Sequence, residues 1–160
     1  MRKVKKFKLT SEFIVDISGV KLFRIKALIE FGNVKAGDLG GYIEKEENLS
    51  HMGNAWVSGN ARVSGDARVS GNAQVSGDAQ VFGDARVSGD KDYAYAHGFG
   101  SCNRTTTFFR LKDGDVGVRC GCFYGTLAQF RDNVCETHGE TKKAQEYLML
   151  ADLMDFRFKN

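Results

Sequence analysis

Residues 53–90 read GNAWVS, GNARVS, GDARVS, GNAQVS, GDAQVF, GDARVS and then GD. Valine recurs in a six-residue period at Val57, Val63, Val69, Val75, Val81 and Val87, with alanine two residues before each. Glycine followed by Asn or Asp opens every hexad. A fixed short period without insertions marks a stacked repeat. Side chains alternate between the two faces of a strand, so the Ala and Val of each Ala-x-Val share one face. They line a narrow core. The residue between them points outward: Trp56, Arg62, Arg68, Gln74, Gln80 and Arg86 in turn. Gly with Asn or Asp then makes the corner, because these residues tolerate the positive φ of a sharp bend. The unit is a short strand and a turn, repeated, which is a β-solenoid. A flexible Gly/Ser linker would not hold Val and Ala in phase.

The outward positions carry the candidate binding residues. Arg62, Arg68 and Arg86 interrupt a glutamine background, and Trp56 and Phe82 are large apolar residues where Arg, Gln or Ser otherwise sits. Packing against the flanks would account for the aromatics; so would a subunit or partner interface, where aromatics concentrate. The corner acids Asp66 and Asp84, also 18 apart, offer an internal answer to arginine charge. A bound phosphate or carboxylate, which suits the guanidinium fork, is the other.

The 160 residues suffice for one domain or one solenoid with small flanking modules, and the net charge is only +3. That charge is uneven: residues 1–35 hold nine Lys or Arg against three acids. With no aromatic platform interleaved, the Lys-rich start reads as a solvated strand face, and nucleic acid is not the expected partner. No run of apolar residues is long enough to span a membrane. No signal-peptide pattern is visible, because Asp16 breaks the apolar stretch after the basic start. A cytoplasmic location is expected, with thiols reduced or metal-bound. Proline is absent, which suits a chain whose amides are largely engaged in ladders.

Upstream of the repeats, Val4–Leu9, Phe13–Ile17 and Val20–Ile29 read as short strands of a β-rich cap over residues 1–33. Residues 34–52 form a Gly-rich linker and first coil, with Tyr42, Ile43 and Leu49 sealing it and the acidic run from Glu44 to Glu47 in solvent. The repeat solenoid takes residues 53–100, with Leu49 in the alanine register and Tyr93 in the valine register. Residues 101–160 read as a ββαα module. Its hairpin turns at Asp113-Gly114. A helix is capped by Thr126 with Gln129 and stops at Gly139. A second helix runs from Lys142 to about Asp155, with Ala144, Tyr147, Leu148, Ala151 and Met154 on one face.

The stretch VKAGDLGGYIEKEENLSHMGNAWV, from Val34 to Val57, resembles a family of phage and prophage hexapeptide-repeat proteins. The Val-Ser-Gly-Asp-Ala-Arg register likewise resembles the hexad of left-handed parallel β-helices. The resemblance implies a mainly β fold: a short left-handed parallel β-helix with three hexads to a coil. Val57 would then lie over Val75, and Arg68 over Arg86, at the inter-strand spacing of about 4.8 Å. It also implies a trimer, the common assembly of such helices, held by Trp56 or Phe82. The family context points to a phage-encoded, non-catalytic binding protein that inhibits or sequesters a host defence factor. The resemblance admits two other functions: an acyltransferase-like enzyme, or a structural virion or assembly protein.

Evidence for catalysis is thin. His51 and His97 flank the repeats, and a histidine serves as base in the acyltransferases, but no inserted loop walls a cofactor pocket. No nucleophile, paired-carboxylate or phosphate-loop motif occurs. Cys120 and Cys122 on a strand, with Cys135 and His138 three apart on a helix, have the donor types of a Cys₃His zinc site. Cys-x-Cys is not the usual knuckle, so the expectation is no metal, no cofactor and no catalytic residue.

Overall fold

The structure is a computed structural model that describes residues 5–16, 18–99, 104–121 and 123–159. Strands β4 (Trp56–Val57), β5 (Arg62–Val63), β6 (Arg68–Val69), β7 (Gln74–Val75), β8 (Gln80–Val81) and β9 (Arg86–Val87) are the repeat strands. Each pairs in parallel with the strand 18 residues on: Trp56 with Gln74, Arg62 with Gln80, Arg68 with Arg86. The chain is a mainly β protein built on a β-solenoid of three faces. Every Val and Ala of the column is buried, with relative exposure of at most 1%. The corner glycines from Gly53 to Gly83 have φ between 62° and 72°, where a side chain is strained. At Gly71 a Cβ would also lie 2.3 Å from the Ser88 carbonyl oxygen of the next coil.

The first coil departs from the hexad. Strand β3 (Leu39–Ile43) pairs in parallel with β5, Tyr42 beside Arg62, a step of 20 residues. Leu49 bridges Val69 by the same step. Leu49 therefore occupies the valine column and not the alanine register expected of it, because the corner holding His51 and Met52 has two residues more than later corners. Gly40 and Gly41 belong to β3 and not to a bent loop. A Cβ on them would meet the Val57 carbonyl oxygen at 2.5 Å and that of Ala61 at 2.6 Å. The glycine pair lets this strand close tightly on the core.

Upstream, β1 (Phe7–Val15) and β2 (Lys21–Ala27) form an antiparallel hairpin that extends the β3–β5–β8 face. One strand with a register shift between Leu9 and Phe13 stands where two strands were expected. Phe7, fully buried, closes the solenoid core at this end together with Ile25 and Ala27.

Downstream, β10 (Tyr93–Phe99), β11 (Arg104–Arg110), β12 (Val116–Cys120) and β13 (Phe123–Thr126) make a four-stranded antiparallel sheet, two strands more than the expected hairpin. Helices α1 (Leu127–His138) and α2 (Lys142–Arg157) follow. Strand β11 serves two cores through its alternation. Phe109 joins the solenoid core, and Phe108 joins Val118, Phe130, Val134 and Tyr147 under the helices. The edge amides of the last coil are met by side chains. Thr107 Oγ1 accepts from the Gln80 N–H at 2.9 Å, Asp90 Oδ1 from Gln74 at 2.8 Å, and Asp92 Oδ2 from Ser88 at 3.0 Å. An open edge would template pairing with another chain, and these caps engage one donor on each face.

Candidate functional site

Leu49, Val69 and Val87 stack along the third face, and Asn48, Arg68 and Arg86 are the residues before them. Asn48 is fully buried and acts as a substitute strand end. Its Nδ2 donates to the carbonyl oxygens of Gly65 (3.1 Å) and Ala67 (2.9 Å), and its Oδ1 accepts from the amides of Glu44 (3.1 Å) and Lys45 (2.8 Å). That leaves two arginines, paired one rung apart, on the outer side of the face.

The expected internal partner of those arginines is engaged elsewhere. The Asp66 carboxylate takes Lys45 Nζ at 2.9 Å. That bond, followed by the charges of Lys45, Arg86 and Lys112, holds the Asp66 carboxyl below the ordinary aspartate range. Arg86 Nη1 instead donates to backbone oxygens, Asp66 O at 2.8 Å and Ala85 O at 2.9 Å. The Arg68 side chain is exposed and makes no hydrogen bond or ion pair among the described residues. Both arginines line two neighbouring hollows. One, of about 730 Å³, runs past Leu49, Ser50, His51 and Ser70. The other, of about 530 Å³, is bordered by Lys45, Asp66 and Lys112.

The other candidate binding residues lie apart from this pair. Arg62 is on the β3–β5–β8 face, beside Asp78 and His97 in one hollow and Arg119 in another. Trp56 does not reach the surface. It is 4% exposed, with Phe31 edge-on at 5.3 Å. Phe82 is half-buried between Tyr124, edge-on at 4.9 Å, and the Arg119 guanidinium, 4.0 Å over its ring. The flanking modules therefore bury Trp56 and pack against Phe82.

The candidate catalytic histidines are engaged as well. His51 Nδ1 accepts the Lys6 amide at 3.0 Å, which places the ring proton on Nε2, 3.0 Å from Glu46 Oε1. Phe7 stacks on the ring at 4.2 Å. Neither nitrogen is left to act as a base. His97 Nδ1 lies 2.8 Å from Thr105 Oγ1. Of the possible zinc donors, Cys122 lies outside the described residues. Cys120 contacts Thr106 and Tyr147, Cys135 is exposed, and His138 stacks on Tyr147. No group of three potential ligands gathers among the described residues.

Comparison with known proteins bears on the repeat itself. The repeats match the family model described as YdcK beta solenoid repeat, over residues 55–71, 61–77 and 79–90. The match supports a β-solenoid repeat protein over that part of the chain. No curated protein matches the chain. No described helix is long and apolar enough to cross a membrane.

Lys6 is the functional-looking residue that the sequence hid. Read as part of a solvated basic strand, it is 1% exposed. Its Nζ donates to the Ala55 carbonyl oxygen at 2.6 Å and sits 4.6 Å over the Phe31 ring. Burial pushes its pKa down to about 8. Strand alternation next to the core-facing Phe7 argued for the outer face, so nothing in the sequence pointed to its burial.

Proposed function

We propose that the protein is a non-catalytic binding scaffold, a left-handed β-solenoid whose third face presents Arg68 and Arg86 to an anionic group of its partner. The observation that carries this reading is the engagement of Asp66 by Lys45. Arg68 and Arg86 pair directly on adjacent rungs, and no carboxylate of the described residues bonds either. Like charges directly paired across strands are destabilising, and a ligand carboxylate or phosphate would relieve them. Left-handedness rests on the hexad resemblance, and the step of 18 residues supports three hexads to a coil. The resemblance to phage proteins makes a host component the proposed partner, met in the cytoplasm and inhibited or sequestered by binding.

The acyltransferase alternative has less support, since a base needs a free nitrogen and His51 has none. A trimer has less support from Trp56, which Phe31 covers, and Phe82 is left half-buried against Tyr124. The test is retention of host-lysate components on immobilised wild type and on the Arg68→Ser/Arg86→Ser variant, identified by mass spectrometry that includes small molecules. A species held by the wild type and lost by the variant at unchanged melting temperature is expected. Identical retention by both proteins would refute the site.

A further inference from the structure

The C-terminal sheet ends on an open strand. Its order is β10–β11–β12–β13, so β10 has a strand on one side only among the described residues. The ladder determines which of its backbone groups are left over. The Leu111 N–H donates to the Asp115 carbonyl oxygen at 2.8 Å where β11 turns into β12. Backbone groups alternate sides along a strand. Leu111, Phe109 and Thr107 therefore turn theirs to β12, and Phe108 and Thr106 turn theirs to β10. The residues opposite Phe108 and Thr106 are Ala94 and Ala96. Tyr93, Tyr95 and His97 direct their N–H and C=O groups to the open side.

The Tyr93 carbonyl oxygen is already taken, by Arg157 Nη2 at 3.2 Å. Beyond His97 the register shifts before Phe99, and Gly98 has a φ of 100°, so the regular edge stops there. Tyr95 and His97 remain. Charged residues and proline are the usual devices that blunt an edge, and Tyr93–Phe99, YAYAHGF, has none of them. The other sheet edges are guarded: β1 carries Lys8 and Glu12 with a register shift after Leu9, and β13 has only four residues.

A second copy of the chain complements this edge in charge. Each N–H is a partial positive charge and each C=O a partial negative one. An antiparallel copy turned about Ala96 sets the N–H and C=O of Tyr95 against the C=O and N–H of the other copy's His97, and the reverse. Turning about Tyr95 instead would need the Tyr93 carbonyl oxygen, which Arg157 holds. Turned about Ala96, the two alanines meet as a non-hydrogen-bonded pair, in which Cα atoms approach to about 4.5 Å. Tyr95 and His97 fall opposite one another as aromatic pairs. No formal charges of like sign meet within the strand.

We propose that β10 pairs antiparallel with β10 of a second copy about Ala96, making a two-fold dimer with one continuous sheet. The pairing uses no residue of the third face.

Sedimentation equilibrium of the full chain should show 35.4 kDa, twice the 17.7 kDa chain, falling to 17.7 kDa on dilution. Ala96→Lys sets two like charges face to face and should give a monomer at every concentration, at unchanged melting temperature. Cross-linking is a second test, in a Cys135→Ser background because Cys135 is exposed. Ala96→Cys should form a disulfide-linked dimer under mild oxidation, since the paired residues lie within disulfide reach. Ala94→Cys should not, because its two copies fall about 13 Å apart at about 3.3 Å per residue. Amide exchange at Tyr95 and His97 should slow at least about tenfold from dilute to concentrated solution. A mass of 17.7 kDa up to millimolar concentration, or a mass of three copies, overturns the proposal. So does a dimer that Ala96→Lys leaves intact, or one that Ala94→Cys cross-links as readily as Ala96→Cys. Fast exchange at Tyr95 and His97 at every concentration leaves the edge to a foreign strand and overturns the second copy.

Discussion

Neighbouring residues of one repeat should differ sharply in what they contribute. Val69 is fully buried, and its backbone pairs with Leu49 on one side and Val87 on the other. Val69→Ala removes two buried carbons, about 1.6 kcal/mol at about 0.8 per methylene. A rigid stack has little room to collapse, so a cavity term brings the expected cost to about 2–3 kcal/mol. Val69→Asp adds the desolvation of a polar group with no partner among valines, and should cost several kcal/mol, a large part of the 5–15 kcal/mol that holds a typical domain. Arg68→Ser, one residue away and exposed, should stay within about 0.5 kcal/mol. In a chain of this size about 1 kcal/mol moves the melting temperature by roughly 2–4 °C. Circular dichroism melts should therefore show a drop of about 4–12 °C for Val69→Ala, loss of the folded β signal for Val69→Asp, and no change for Arg68→Ser. An unchanged melt for Val69→Asp, or equal losses at 68 and 69, would refute the alternation on which the solenoid rests.

Two other perturbations test the ends of the stack. Asn48→Ala leaves two carbonyls and two amides near the core without their side-chain partner; at about 1–3 kcal/mol for a buried polar group left unmet, a loss of at least about 2 kcal/mol is expected in denaturant titration, and a loss under about 0.5 kcal/mol would show that solvent replaces the amide. Lys6 has a folded pKa below its unfolded value, about 8 against 10.5, so the unfolded chain holds that proton more tightly and stability rises between those two pH values; the full penalty of the buried charge is present below pH 8, and wild type should gain up to about 3 kcal/mol on Lys6→Met between pH 8 and 10.5, whereas parallel stability curves would show that Lys6 titrates normally.

The repeat was legible because a six-residue period has few physical solutions. Val57, Val63 and their successors could only be a buried column, since a strand residue and the one two places before it must share a face. Leu49 was misplaced because hexad counting cannot see an insertion at a corner: His51 and Met52 add two residues, and the step becomes 20 where 18 was counted. Lys6 and Asn48 were illegible for a different reason. A lysine among lysines looks solvated, and an asparagine beside glutamates looks like a loop, until tertiary structure brings Ala55, Gly65 and Ala67 to them. Trp56 and Phe82 were read as pointing away from the coil. What covers them comes from chain segments distant in sequence, Phe31 in one case and Tyr124 with Arg119 in the other.

The same contrast explains why the third face is where binding is proposed. Several outward positions of the other two faces are drawn into the protein's own packing, Tyr42 with Arg24 and Glu12, Trp56 under Phe31, and Phe82 under the C-terminal sheet, while Arg62 lines two hollows there. Gln74 is exposed but turns its amide onto the Asn54 carbonyl oxygen, 2.8 Å away. Arg68 has neither cover nor internal partner, although it sits in the most regular part of the chain. Glutamine at this rung, as in the neighbouring hexads, would keep the fold and remove the repulsion. A solenoid holds its outward residues at fixed spacing whatever they are, and of the two arginines only Arg86 bonds the chain itself, at Asp66 O and Ala85 O. On the proposed reading, what favours arginine at 68 is the group the face meets, and the paired charges set its sign.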